Sequence, residues 1–162
     1  MQFTYFYDVP LGDQSNGFFP IQEGGFYRSF TPRDQLATPI VPLLGPATAP
    51  LLNGKDAFAA ETSLGTQPAV VSWSAPKLGK PTKYLVTVAN TRNVLKSGEL
   101  ASVTAVLYDQ TSFKVPGGLL NAKDDFYGVV TAMKSQDQLN DPLLGIGSPS
   151  VEVTTVFGYF HQ

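Results

Sequence analysis

His161 is the one histidine of the chain and stands next to its last residue. Base catalysis of the Ser-His-Asp type needs an imidazole held within hydrogen-bond reach of a hydroxyl and a carboxylate. Terminal residues usually fray, so the sequence predicts no catalytic role for His161. A single histidine in a chain without cysteine also falls short of a zinc site, which takes several nitrogen or sulfur ligands. Paired carboxylates can act without imidazole, as in glycoside hydrolysis. The candidates are Asp8 with Asp13, Asp124 with Asp125, and Asp137 with Asp141. Adjacent Asp124 and Asp125 would point to opposite faces of a strand and cannot easily converge on one substrate atom. They are expected to solvate the turn before the strand that follows. In "SQDQLNDP", Asp137, Asn140 and Asp141 offer oxygens for weak calcium binding. The spaced acidic pattern of an EF-hand is missing, and these residue types are common in loops for turn reasons. The glycines of "GGF", "PGGLL" and "LLGIGSP" form no strand–loop–helix phosphate cradle. No catalytic, cofactor-binding or metal-binding residue is therefore assigned, and the chain is expected not to be an enzyme.

The totals narrow the class. The chain has 162 residues, 43% hydrophobic and 15% charged, with a formal net charge of −2. That is enough apolar material for a packed core and too little charge for disorder. Lysine and arginine are scattered without a basic patch among aromatics, so nucleic acid is not an expected partner. No apolar run approaches the roughly 20 residues that cross a bilayer as a helix, and no transmembrane segment is expected. The opening "MQFTYFYDVP" shows no signal-peptide pattern.

The elements that must position any site read as strands. Stretches at about 68–74, 82–90, 101–108, 111–115, 125–134 and 150–158 combine β-branched or aromatic residues with turn-rich separators. The clearest is "KYLVTV", where Tyr84, Val86 and Val88 alternate with polar or outward positions. Asn53-Gly54 is a two-residue hairpin signal. "TPIVPLLGPATAP" holds four prolines and reads as an edge strand or an extended lead-in. "ETSLGTQP" reads as loop, and the threonine-rich sides of "YLVTVANT", "SVTAV" and "VEVTTV" as solvated faces. With no 10- to 15-residue helical pattern between strands, the sequence predicts an all-β sandwich or barrel.

Residues 1–37 form a separate region, an N-terminal extension preceding the sandwich of residues 38–162. Phe3, Tyr5, Phe6, Tyr7, Phe18, Phe19, Phe26, Tyr27 and Phe30 are half of all the phenylalanines and tyrosines. Two extra strands joined by a loop are expected here, packing on an edge or end of the sandwich. The alternative is an exposed aromatic surface for a sugar or protein.

The central and C-terminal residues resemble a fibronectin type III domain. "VVSWSAP" supplies Trp73 with Pro76 three residues on, and "KYLVTV" a tyrosine-led strand. "LLNAKDDFYGVVTAM" supplies Leu120 six positions before Phe126, then Val130 and Ala132 on the same face. The resemblance covers about residues 66–158, with a first strand from Thr38. It implies an antiparallel Ig-like, fibronectin type III β-sandwich in which Trp73 and Tyr84 share one core between two sheets. Phe126 stands where the family has tyrosine and lacks the hydroxyl of a tyrosine corner. Tyr127 falls on the opposite face, so packing alone is expected to hold that corner. A looser similarity, to terminal modules of predicted myxobacterial envelope lipoproteins, implies a periplasmic, cell-surface or secreted location.

The function expected from these readings is a non-catalytic extracytoplasmic module that contacts another protein or acts as a structural spacer. The alternative is carbohydrate binding through exposed N-terminal aromatics. No cofactor is expected.

Overall fold

A computed structural model of the chain describes residues 2–9, 21–28, 42–58, 62–91, 102–121, 124–135 and 150–161. Among the described residues its elements are all strands. In chain order they are β1 (Gln2–Val9), β2 (Ile21–Arg28), β3 (Thr48–Leu52), β4 (Lys55–Asp56), β5 (Thr62–Ser63) and β6 (Val70–Ser74). There follow β7 (Lys83–Asn90), β8 (Ser102–Leu107), β9 (Ser112–Lys114), β10 (Asp125–Ser135) and β11 (Ser150–His161). One sheet has seven strands, in the order β1-β2-β11-β10-β7-β8, with β5 also on β11; the other has four, β4-β3-β6-β9. Pairing is antiparallel except between β5 and β11.

Alternation builds the core. Tyr84, Val86 and Val88 sit opposite Ala132, Val130 and Gly128 of β10, and all of them turn to the face that meets Val71 and Trp73 of the second sheet. Trp73 is 5% exposed and Tyr84 4%, their rings meeting edge-on with centroids 5.2 Å apart. Burial raises the Tyr84 phenol above its ordinary range, while the adjacent Trp73 indole acts in the opposite direction. The approach falls short of a hydrogen bond, leaving the buried indole N–H without an acceptor.

β11 needs one irregularity to keep its aromatics inside. Phe157 and Phe160 are both buried in the core although three residues apart, which strict alternation forbids. The register with β10 slips between Tyr127 and Gly128, so that Gly158 is the extra residue. Gly158 has φ +64°, a left-handed conformation glycine adopts without penalty. Phe160 then packs 5.8 Å from Phe126, and the Phe157 ring lies over Gly128 with no space for a Cβ there.

Within the described part of the proline-rich segment the strand runs from Thr48, and the expected start near Thr38 lies outside the described residues. Residues 42–47 lead in without strand structure. The β3 register with β6 shifts between Thr48 and Leu51, and Ala49 has φ +46°. A bulge is where a strand accommodates proline, here Pro50, because its missing N–H is not needed for the ladder. Asn53-Gly54 makes the expected tight turn, with φ +49° and +78°. The Asn53 Oδ1 atom accepts the Val70 N–H at 2.7 Å.

Two expectations are corrected. Thr62–Ser63, read as loop, forms β5, because the exposed edge at the end of β11 offers it backbone partners. The outward face of the larger sheet is also not simply solvated. Ala89, Tyr127, Val129 and Val156 form a second buried cluster there, and Thr131 is buried beside them. Phe126 and Tyr127 do take opposite faces, the first in the main core and the second in this outer cluster.

On the same outward face Lys83, Met133 and Glu152 lie in one cross-strand row. Burial raises the Glu152 carboxyl above its ordinary value, and the Lys83 ammonium opposes that shift. The folded state therefore holds this proton more tightly than the unfolded chain. The stability that goes with it is present below the unfolded value and lost as pH rises through the folded one. Glu152→Gln is expected to gain stability relative to the parent protein between pH 4 and pH 7. Urea denaturation of both proteins at the two pH values checks this, and a pH-independent difference would refute it.

Candidate functional site

The chemistry-bearing residues meet at one end of the larger sheet, where β5, β11, β10 and β7 come together. His161 is not a frayed terminal residue. It closes β11, is the register partner of Asp125 on one side and Ser63 on the other, and its carbonyl accepts the Leu64 N–H at 2.9 Å. A serine, a histidine and an aspartate thus occupy one cross-strand row, a proximity that terminal fraying would have prevented.

Proximity in register is weaker than a triad. A nucleophile must contact its base, and the base its orienting carboxylate, at hydrogen-bond distance. Ser63 is exposed, while His161 and Asp125 are half-buried. It is Asp124 whose carboxylate makes a short bond, accepting from Asn90 Nδ2 at 2.7 Å. Its backbone N–H donates to the Asn121 carbonyl, and the Thr91 hydroxyl donates to the Asp125 carbonyl. These bonds tie the loop before β10 to the end of β7. Asp124 is consequently a structural clamp on a buried amide, where solvation of a turn had been expected.

Asn90 was missed as a member of this group, although the sequence carried its signal. It continues the inward series Tyr84, Val86, Val88, and a polar side chain at an inward position must find a partner. Ser63 gave no such signal, since β5 exists only through its pairing with β11.

The remaining candidates are not brought together. Asp8 lies in β1 opposite Gln22; Asp13, Asp137, Asn140 and Asp141 lie outside the described residues. So do the side chains of Tyr5, Tyr7, Phe26 and Tyr27, on which the carbohydrate reading depends. Among the described residues no group of three or more His, Cys, Asp and Glu side chains is placed to hold a metal ion. No helix among them is long and apolar enough to cross a membrane. In comparisons with known proteins, the chain matches no family model, no curated protein and no solved structure.

Proposed function

We propose that the chain is a non-catalytic, extracytoplasmic β-sandwich module of the fibronectin type III kind, making protein contact or acting as a spacer in a bacterial envelope or surface protein. The observation that carries this reading is the division of strands between the two layers. Leaving aside β1, β2 and the short β4 and β5, the first, second and fifth strands lie in one sheet; the third, fourth, sixth and seventh form the other. That division, with Trp73 and Tyr84 between the layers, fits such a module. The Asn90–Asp124 pair and the Thr91 hydroxyl tie the loop before β10 to the end of β7, which suits a structural role.

Fractionation of the source cells with an antibody to the chain tests location, with recovery in the envelope or medium expected. Cross-linking in intact cells is expected to join it to a neighbouring protein. Recovery only from cytosol would overturn the extracytoplasmic assignment, and hydrolytic activity abolished by Ser63→Ala would overturn the non-catalytic one.

A second reading, carbohydrate binding, is favoured by one feature of the hairpin. Phe3, Tyr5 and Tyr7 occupy alternate positions of β1, and Phe3 pairs with Tyr27. Glycan-affinity electrophoresis of the parent protein against Tyr5→Ala/Tyr7→Ala distinguishes it, with equal mobility of the two on every glycan telling against it.

A further inference from the structure

We propose that two copies of this chain associate through β1, antiparallel about a two-fold axis centred on Tyr5, joining their larger sheets into one. The first support is that β1 is an open edge among the described residues. It stands at the end of the strand order and runs with β2 through eight register pairs from Gln2↔Arg28 to Val9↔Ile21, without a bulge. Natural edge strands are usually blunted by lysine, proline, bulges or shortness, because bare N–H and C=O groups template further pairing. β1 carries none of these devices, and its single charge is Asp8. Across the sandwich the edges are blunted: β4 is two residues, Lys55 and Asp56, and β9 is three, ending in Lys114.

The second support is that the hairpin joins the sheet at one end. Among the described residues, Tyr27 and Arg28 are the β2 positions in register with β11. A two-stranded hairpin is marginal in water, and three or more strands are needed for independent stability. Pairing β1 with its copy would create a four-stranded antiparallel unit, supplying what the hairpin lacks. The rest of β2 is a poorer template, since it includes Glu23, Gly24 and Gly25.

The third support is self-complementarity. A two-fold axis perpendicular to a sheet keeps each residue on its own face, so only residues of like parity can pair. Centring on Tyr5 pairs Phe3 with Tyr7, Thr4 with Phe6 and Tyr5 with itself. Gln2 then meets Asp8, so no like charges oppose each other. Aromatic cross-strand pairs are among the favourable ones.

β8 is the competing edge, with six residues, Ser102–Leu107, and it serves as the control. The chain has no cysteine, so a single introduced thiol reports its own neighbours. A residue on the axis meets its copy at a Cα separation of about 4.5–5.5 Å, within disulfide range. Full-length Tyr5→Cys is expected to convert under mild oxidant to a disulfide-linked dimer, at least tenfold faster than Thr104→Cys. Sedimentation equilibrium of the parent chain is expected to show a reversible dimer, and Tyr5→Lys, which places like charges on the axis, to weaken it at least tenfold. A parent chain monomeric at about 0.1 mM, a range where even weak association registers, would overturn the proposal. So would faster cross-linking through Thr104→Cys. Neither outcome bears on location or catalysis, so this pairing stands or falls apart from the proposed function.

Discussion

Gly128→Val is expected to destabilise the protein by about 3 kcal/mol, at the upper end of the cost of overpacking a core. In a domain of this size that lowers Tm by roughly 6–12 °C. Gly128 is buried in the centre of the larger sheet, and a Cβ built there overlaps the Phe157 ring. Phe157 has no room to retreat, being 2% exposed and packed in the main core. Gly128→Ala poses the same conflict with fewer atoms, which makes a double-mutant cycle feasible. Phe157→Leu removes the ring atoms that overlap, so it should cost about 1–2 kcal/mol less in the Gly128→Ala background than in the parent. Thermal and urea denaturation followed by far-UV circular dichroism measures both. Additive costs would show that the ring and the glycine are not coupled.

Trp73→Ala is expected to cost about 3–5 kcal/mol, the range for emptying a large aromatic site in a core. Trp73→Phe should cost far less, under about 1.5 kcal/mol, although it too removes volume. The asymmetry comes from the aromatic volume that phenylalanine keeps; both substitutions remove an indole N–H that is buried without an acceptor. Leaving a polar group in that state costs about 1–3 kcal/mol, so its removal offsets part of the lost packing against Tyr84. Urea denaturation of the two variants checks the contrast. A Trp73→Phe loss above about 3 kcal/mol would mean that the indole N–H is satisfied in solution. Because Trp73 is the only tryptophan, emission of the parent protein reports directly on exposure of this site.

The readings that rested on local periodicity agree with the structure. Inward residues repeat every second position along β6, β7 and β10, and turn residues separate them, so Trp73, Tyr84, Val86, Val88, Val130 and Ala132 were legible as core residues. Asn53-Gly54 was legible for the same reason, since a tight turn depends on residues adjacent in sequence. Asp124 was legible as a residue before a strand but not as a clamp, because its partner Asn90 is distant in sequence.

What the sequence determined by itself is the all-β class, the places of the main strands and the residues that face inward, because side-chain alternation is a property of each strand alone. Only the tertiary structure decided that Gly158 bulges to bring Phe160 inside, and that Thr62–Ser63 becomes a strand. The same holds for the row formed by Ser63, His161 and Asp125 and for the buried outer face around Tyr127. Each of these depends on which distant segment lies alongside, and pairing between distant segments is set by the packed whole, leaving no periodic trace in either partner.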